Sequence, residues 1–145
     1  MRALLDVNVL IALLDGAHSH HGLAKQWLAA ELDQGRGWAS CPITQNGCVR
    51  IMSSPAYPGN FTPVDVALRL SKAVAHPSHQ FWAADVNLLD GQSLDWQKIL
   101  GHRQITDAYL LALAVHHKGR FVTFDRRVST TSVPGAGAAH LCILG

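Results

Sequence analysis

Apolar positions crowd the start of the chain, where "ALLDVNVLIALL" (3–14) is broken only by Asp6 and Asn8. Residues 3–6 read as a short buried strand, and a helix follows from Asn8 to Leu14. Leu23, Ala24, Trp27, Leu28 and Leu32 recur at helical spacing, which predicts a helix over 18–34 that Gly35 ends. "GWASCP" (37–42) reads as a second strand closed by Pro42, and "ITQNGCVRIMSS" (43–54) as a helix despite Gly47. "PAYPGNFT" (55–62) is a Pro- and Gly-rich loop. Thr62, Pro63 and Asp65 then form a helix-start signature for a helix running to about Ala75. "HQFWAA" (79–84) reads as a third strand, and the polar stretch after it as loops around a short helix. Residues 106–117 form the clearest helix, capped by Thr106 and apolar on nearly every face from Ala108 to Val115, the mark of a buried helix. "RFVTFD" (120–125) and "HLCIL" (140–144) complete the strands.

This alternation predicts one domain over 1–145, a three-layer α/β/α sandwich around a mostly parallel sheet of four to five strands. An apolar content of 48% agrees with a chain that buries a core, and a formal charge of +2 permits an anionic partner without demanding one. Cys41, Cys48 and Cys142 are odd in number and lack a CxxC spacing, which fits buried thiols in a reducing compartment. Asp6, Asn8 and Asp15 interrupt the opening apolar run, which argues against an export signal, and no stretch approaches a membrane span. A cytoplasmic protein is the expectation.

The acids carry the chemistry. Burying a carboxylate without a partner costs several kcal/mol, so Asp6 amid apolar neighbours needs a reason. Asp6 ends the first strand, Asp125 ends "FVTF", and Asp107 opens the buried helix between them. In a parallel α/β sheet, strand C-terminal ends and helix N-terminal ends meet on one edge, where ligands bind. Taken singly, Asp107 could serve the helix dipole and Asp125 a turn. Three acids on one edge would repel and raise each other's pKa, and a divalent cation would relieve them. Hard oxygen donors without nearby Cys suit Mg²⁺ or Mn²⁺. Phosphodiester cleavage is the chemistry that follows, because the cation also neutralises phosphate oxygens.

"LLDVNVLIALL", "ITDAYLLALA" and "FVTFDRR", in this order and spacing, resemble a PIN-domain ribonuclease of the VapC toxin type, and "CPITQNGCVRI" resembles an actinobacterial branch of it. The resemblance spans nearly the whole chain. It implies a metal-dependent endoribonuclease toxin paired with a VapB-type antitoxin, acting on tRNA or ribosomal RNA. It also implies a homodimer that forms a heterotetramer or larger assembly with the antitoxin, whose C-terminal segment places an Arg near the acids. Asp6, Asp107 and Asp125 take the family's catalytic and metal-binding places, with Asn8, Asn46 and Thr106 as polar neighbours that orient them. The family's Glu on the helix after the second strand is missing. Its place, counted from Thr44, falls at Gly47 beside Asn46, and no acid lies between Asp33 and Asp65. Asp85 or Asp90 are the candidates to replace it.

Arg126 and Arg127 follow Asp125, and Arg50, Arg103, Lys118 and Arg120 are further candidates for a basic rim; Arg50, Arg103 and Arg126 are singled out for RNA contact. Trp96 is a candidate for base stacking, whereas Trp38 and Trp82 read as core. His18 and His21 stand at i,i+3, but no further zinc ligands are evident there; His116 and His117 read as partners of a helix C-terminus. Ala-rich helices over 23–32 and 64–75 carry more apolar surface than one domain hides, in line with a dimer. Two other readings compete. One is a degenerate, non-catalytic PIN-like module that binds RNA or protein, motivated by the missing Glu. The other is a phosphatase with an Asp nucleophile, disfavoured because the strand reads Asp6-Val7-Asn8 rather than Asp-x-Asp.

Overall fold

The computed structural model describes residues 1–145. Five short strands, β1 (Ala3–Leu5), β2 (Trp38–Ser40), β3 (His79–Phe81), β4 (Arg120–Thr123) and β5 (Leu141–Ile143), form one sheet in the order β3-β2-β1-β4-β5. Every pairing is parallel, with Leu4 opposite both Ala39 and Phe121. The helices are α1 (Val7–Leu14), α2 (His21–Asp33), α3 (Pro42–Met52), α4 (Pro63–Val74) and α5 (Gln104–His116).

Alternation along the central strands feeds two separate cores. Leu4, Ala39 and Phe121 pack with the α5 residues Tyr109, Leu110, Leu111 and Leu113. Ala3, Leu5, Trp38 and Val122 pack on the opposite face with Val9, Leu10, Met52, Val66 and Leu70 from α1, α3 and α4. A parallel sheet covered on both faces needs apolar residues at every position, which explains why the central strands read as continuous apolar runs. Residues 108–114 of α5 are all buried, as its apolar circumference requires. Trp38 and Trp82 are buried as well.

Element ends differ from the sequence reading where side chains compete with the ladder. Pro42 opens α3 at its first turn instead of closing β2, and the Thr44 hydroxyl accepts from the Cys41 N–H at 3.0 Å. The start of α2 is delayed to His21 because His18 Nδ1 accepts from the His20 N–H at 3.0 Å and His21 Nδ1 lies 2.8 Å from the Ala12 carbonyl. No group of three His, Cys, Asp or Glu ligand atoms gathers at His18 and His21. Thr106 does not cap α5: the helix begins two residues earlier, where the Gln104 side chain accepts from the N–H groups of Leu100 and Gly101. The connection from Trp82 to Arg103 is built from turns closed by Asn87, Asp90 and Asp95, with a 3-10 turn at Trp96–Lys98. No helix is long and apolar enough to cross a membrane.

Candidate active site

β1 and β4 are neighbours although they lie near opposite ends of the chain, with Leu5 paired to Val122, and the chain leaves them in opposite directions across the sheet. Asp6, one residue past β1, caps α1: its Oδ1 accepts from the Val7 N–H at 2.7 Å. Its Oδ2 accepts from the Thr123 hydroxyl at 2.7 Å. Thr123 Oγ1 in turn accepts from the Asp125 N–H at 3.0 Å and from Asn8 Nδ2 at 3.3 Å. Asn8 Oδ1 accepts from the Phe124 N–H at 3.3 Å. The two strand ends are thus tied by one fully buried hydroxyl.

Asp107 enters from the first turn of α5 and is half-buried. Burial pushes its carboxyl up to about 6, and the charges of Asp6 and Asp125 push the same way. Burial also raises the pKa of Asp6, against the hydrogen bonds from Thr123 and Val7 that hold it down. Asp125 goes the other way. The Arg127 guanidinium meets its two oxygens at 3.0 Å each, the Arg127 N–H adds a third bond at 2.9 Å, and the carboxyl falls below its ordinary value. Neither Asp6 nor Asp107 forms an ion pair. A cleft of about 120 Å³ opens here, lined by Asp107, Asp125, Arg103, Gln104, Arg127 and Thr131 among others.

The other sequence-derived candidates divide between this site and elsewhere. Asn46, Arg50 and Thr106 line a shallow groove next to Val7, on the α3 side of Asp6. Thr106 and Asn46 make no side-chain hydrogen bond to any of the three acids; both face solvent, so an orienting role has no contact behind it. Arg103 lines the acidic cleft, but Arg126 does not: its guanidinium donates to Gly145 O at 2.5 Å, and Arg127 takes the place facing the acids. Arg120 is drawn to Glu31 at 2.7 Å, and both it and Lys118 sit at the opposite end of β4.

The missing Glu has no substitute within the cleft. Asp85 pairs with His116 and His117 at the far end of α5, and Asp90 accepts from the backbone of Gln92 and Ser93 in its own exposed turn. Gly47 is small for a packing reason: a Cβ there would stand 2.7 Å from Val7 Cγ2, where α1 and α3 touch. Asn46, its exposed neighbour on the groove, is the position open to a longer side chain.

Thr123 is the site residue that the sequence reading passed over, and Arg127, named for the basic rim, takes the place expected of Arg126. A Thr inside an apolar strand, two residues before an acid, was the available signal for the first. For the second, adjacent Arg residues after a strand end give no periodicity that decides which one turns inward.

Comparison with known proteins adds the following. Residues 3–133 match the PIN domain. Ribonuclease VapC44 of Mycobacterium tuberculosis is 49% identical over 144 residues, which is 99% of this chain and 100% of that protein. Ribonuclease VapC39 of the same species is 40% identical over 136 residues, 93% of this chain and 96% of that one. Among solved structures, VapBC2 from Rickettsia felis, bound to a DNA fragment from their promoter, superposes with a TM-score of 0.66 at 14% identity, covering 100% of both chains. VapC20 of Mycobacterium tuberculosis, described as a Sarcin-Ricin loop cleaving toxin, gives a TM-score of 0.60 at 12% identity over 92% of this chain and 98% of that one.

Proposed function

The chain belongs to the PIN-domain family, among the VapC ribonucleases, and from that premise we propose that it is the endoribonuclease toxin of a type II toxin–antitoxin pair, cutting RNA phosphodiester bonds with the help of a divalent cation held by Asp6, Asp107 and Asp125. The observation that supports this reading is that Asp6, Asp107 and Asp125 stand near enough at the junction of β1, β4 and α5 to repel one another, two of them without an ion-pair partner and pushed toward the neutral form. Such a donor set fits a hard cation. The oxygens are unaccompanied by Cys or His, and the repulsion that lifts Asp107 is of the kind a cation removes. Bound there, Mg²⁺ or Mn²⁺ supplies positive charge for the phosphate oxygens and activates water for attack.

The chain's own residues do the rest. Thr123 and the Val7 N–H hold the Asp6 carboxylate in one orientation, with a lone pair on each oxygen left free. Thr123 also anchors the backbone of Asp125, so the two acids are fixed relative to each other before any ligand arrives. Arg127 and Arg103 at the cleft, and Arg50 across the groove, provide guanidinium donors for backbone phosphates on either side of the scissile bond. Trp96, partly exposed and held by its indole N–H on the Leu88 carbonyl at 3.1 Å, offers a face for a base.

A VapB-type antitoxin and a tRNA or ribosomal RNA target belong to the same proposal, as does a homodimer hiding the exposed Val64 and Leu68 of α4. A second reading has one observation in its favour: α3 brings Gly47 and Asn46, not an acid, to the groove. In that reading the chain is a non-catalytic module that binds RNA or protein. Cleavage of total cellular RNA by the purified protein, in Mg²⁺, in Mn²⁺ and in chelator, decides between them, with Asp6→Asn as the control.

A further inference from the structure

His116 and His117 close α5 at the end opposite Asp107, nine residues or about 14 Å further along the helix. Both rings turn toward one carboxylate from another part of the chain. His117 Nε2 lies 3.0 Å from Asp85 Oδ1, and His116 Nε2 lies 3.5 Å from Asp85 Oδ2. One donor atom from each of the three residues falls within 4.8 Å of the other two. Nothing in the RNA-cleaving site uses these groups.

We infer that Asp85, His116 and His117 form a second cation site, selective for Zn²⁺ or a similar late transition-metal ion, distinct in place and chemistry from the acidic cleft. Two donors each about 2.1 Å from a tetrahedral ion stand about 3.4 Å apart, and the 3.0 and 3.5 Å separations from the two imidazoles to the two oxygens of Asp85 lie near that value. Two imidazole nitrogens and a carboxylate favour Zn²⁺ over Mg²⁺, which takes oxygen ligands. His117 is pre-oriented: its ring stacks on Trp82 with centroids 4.5 Å apart and 11° between planes, and Trp82 is buried. His116 stands edge-on to it at 5.1 Å. The C-terminal end of α5 adds its negative dipole to the Asp85 charge, and both attract a cation. His116 and Asp85 are each about half exposed, with side-chain accessibilities of 52% and 46%, so an ion reaches them and the fourth position stays open to water.

The site has a structural consequence. Asp85 begins the long connection that delivers Val86, Leu88 and Trp96 to the groove beside Thr106 and Arg103 to the acidic cleft. An ion at Asp85 fastens that connection to the helix whose other end carries Asp107.

The test is calorimetric titration of the full chain with Zn²⁺ in a large excess of Mg²⁺, repeated with Co²⁺ while the visible spectrum is recorded, for the wild type, His116→Ala and Asp85→Asn. One equivalent of Zn²⁺ should bind the wild type with release of protons, and Co²⁺ should give the ligand-field bands of a nitrogen-bound ion. Either substitution should weaken Zn²⁺ binding by more than about a hundredfold, the upper end for loss of a mere outer partner, while circular dichroism and RNA cleavage in Mg²⁺ stay as in the wild type. No Zn²⁺ bound by the folded wild type overturns the inference. So does Zn²⁺ binding that both variants retain, which would place the ion elsewhere and leave Asp85 as a simple hydrogen-bond partner of the two histidines.

Discussion

Thr123 has no solvent exposure and three hydrogen-bond partners that meet nowhere else: the Asp6 carboxylate, the Asn8 amide and the Asp125 N–H. Thr123→Val keeps the shape and removes the hydroxyl, leaving those groups unpaired. The expected cost is about 1–3 kcal/mol, read as a shift in denaturant midpoint, with a loss of RNA cleavage larger than the loss of stability explains; Thr123→Ser restores both. Asp107 makes a prediction about pH. Its folded-state pKa is raised from 3.8 to about 6, so between those values the native state binds more protons than the unfolded chain, and stability falls as pH rises. Its favourable contribution is complete below about pH 4 and gone above about pH 6. In chelator, Asp107→Asn should therefore melt higher than the wild type at pH 7, and the two curves should converge toward pH 4; equal melting temperatures across the range contradict it. At this scale Asp6 stood out because a carboxylate inside an apolar run has no innocuous explanation, whereas Asp107 and Asp125 drew notice only through the sheet edge they share with it. Thr123 did not, since a Thr in a strand is ordinary, and neither did the choice of Arg127 over Arg126, which depends on a turn that only the fold defines.

Helices and strands were legible where burial imposes a period. α5, apolar on all sides, and the alternation of Leu4 against Ala3 and Leu5 between two cores follow from that rule. Boundaries were less so, because Thr44, His18 and Gln104 set them through local hydrogen bonds, and Pro42 through its fixed backbone angle, rather than through hydrophobic period. The contact of α1 with α3 shows what one residue does for an element. Gly47→Ala gains helix propensity of about 1 kcal/mol but forces Val7 aside, and overpacking of this kind costs about 1–3 kcal/mol. A lower melting temperature is expected for Gly47→Ala. Asn46→Glu tests the same helix from its open face. The new carboxylate would extend from an exposed position into the groove that Val7 and Thr106 also line, and Mn²⁺ affinity measured by calorimetry should rise while stability hardly changes.

For the whole molecule, the decisive feature is strand order. Placing β1 between β2 and β4 sends the first half of the chain to one side and the last strands to the other, and the acids meet at the point of divergence. A parallel sheet could be read from the alternation of elements; its order could not, since no local pattern records which strands are neighbours. The exposed apolar pair Val64 and Leu68, one turn apart on α4, belongs to this scale too. If that face joins two copies, Leu68→Lys should shift the protein toward monomer in sedimentation equilibrium without altering its melting at low concentration. The most direct test of the account remains cleavage of total cellular RNA by the purified, antitoxin-free protein in Mg²⁺, in Mn²⁺ and in chelator, beside Asp6→Asn. Cleavage that needs the metal and disappears in a folded Asp6→Asn protein is the predicted result; cleavage that survives chelator or the substitution, or none under any metal, contradicts it.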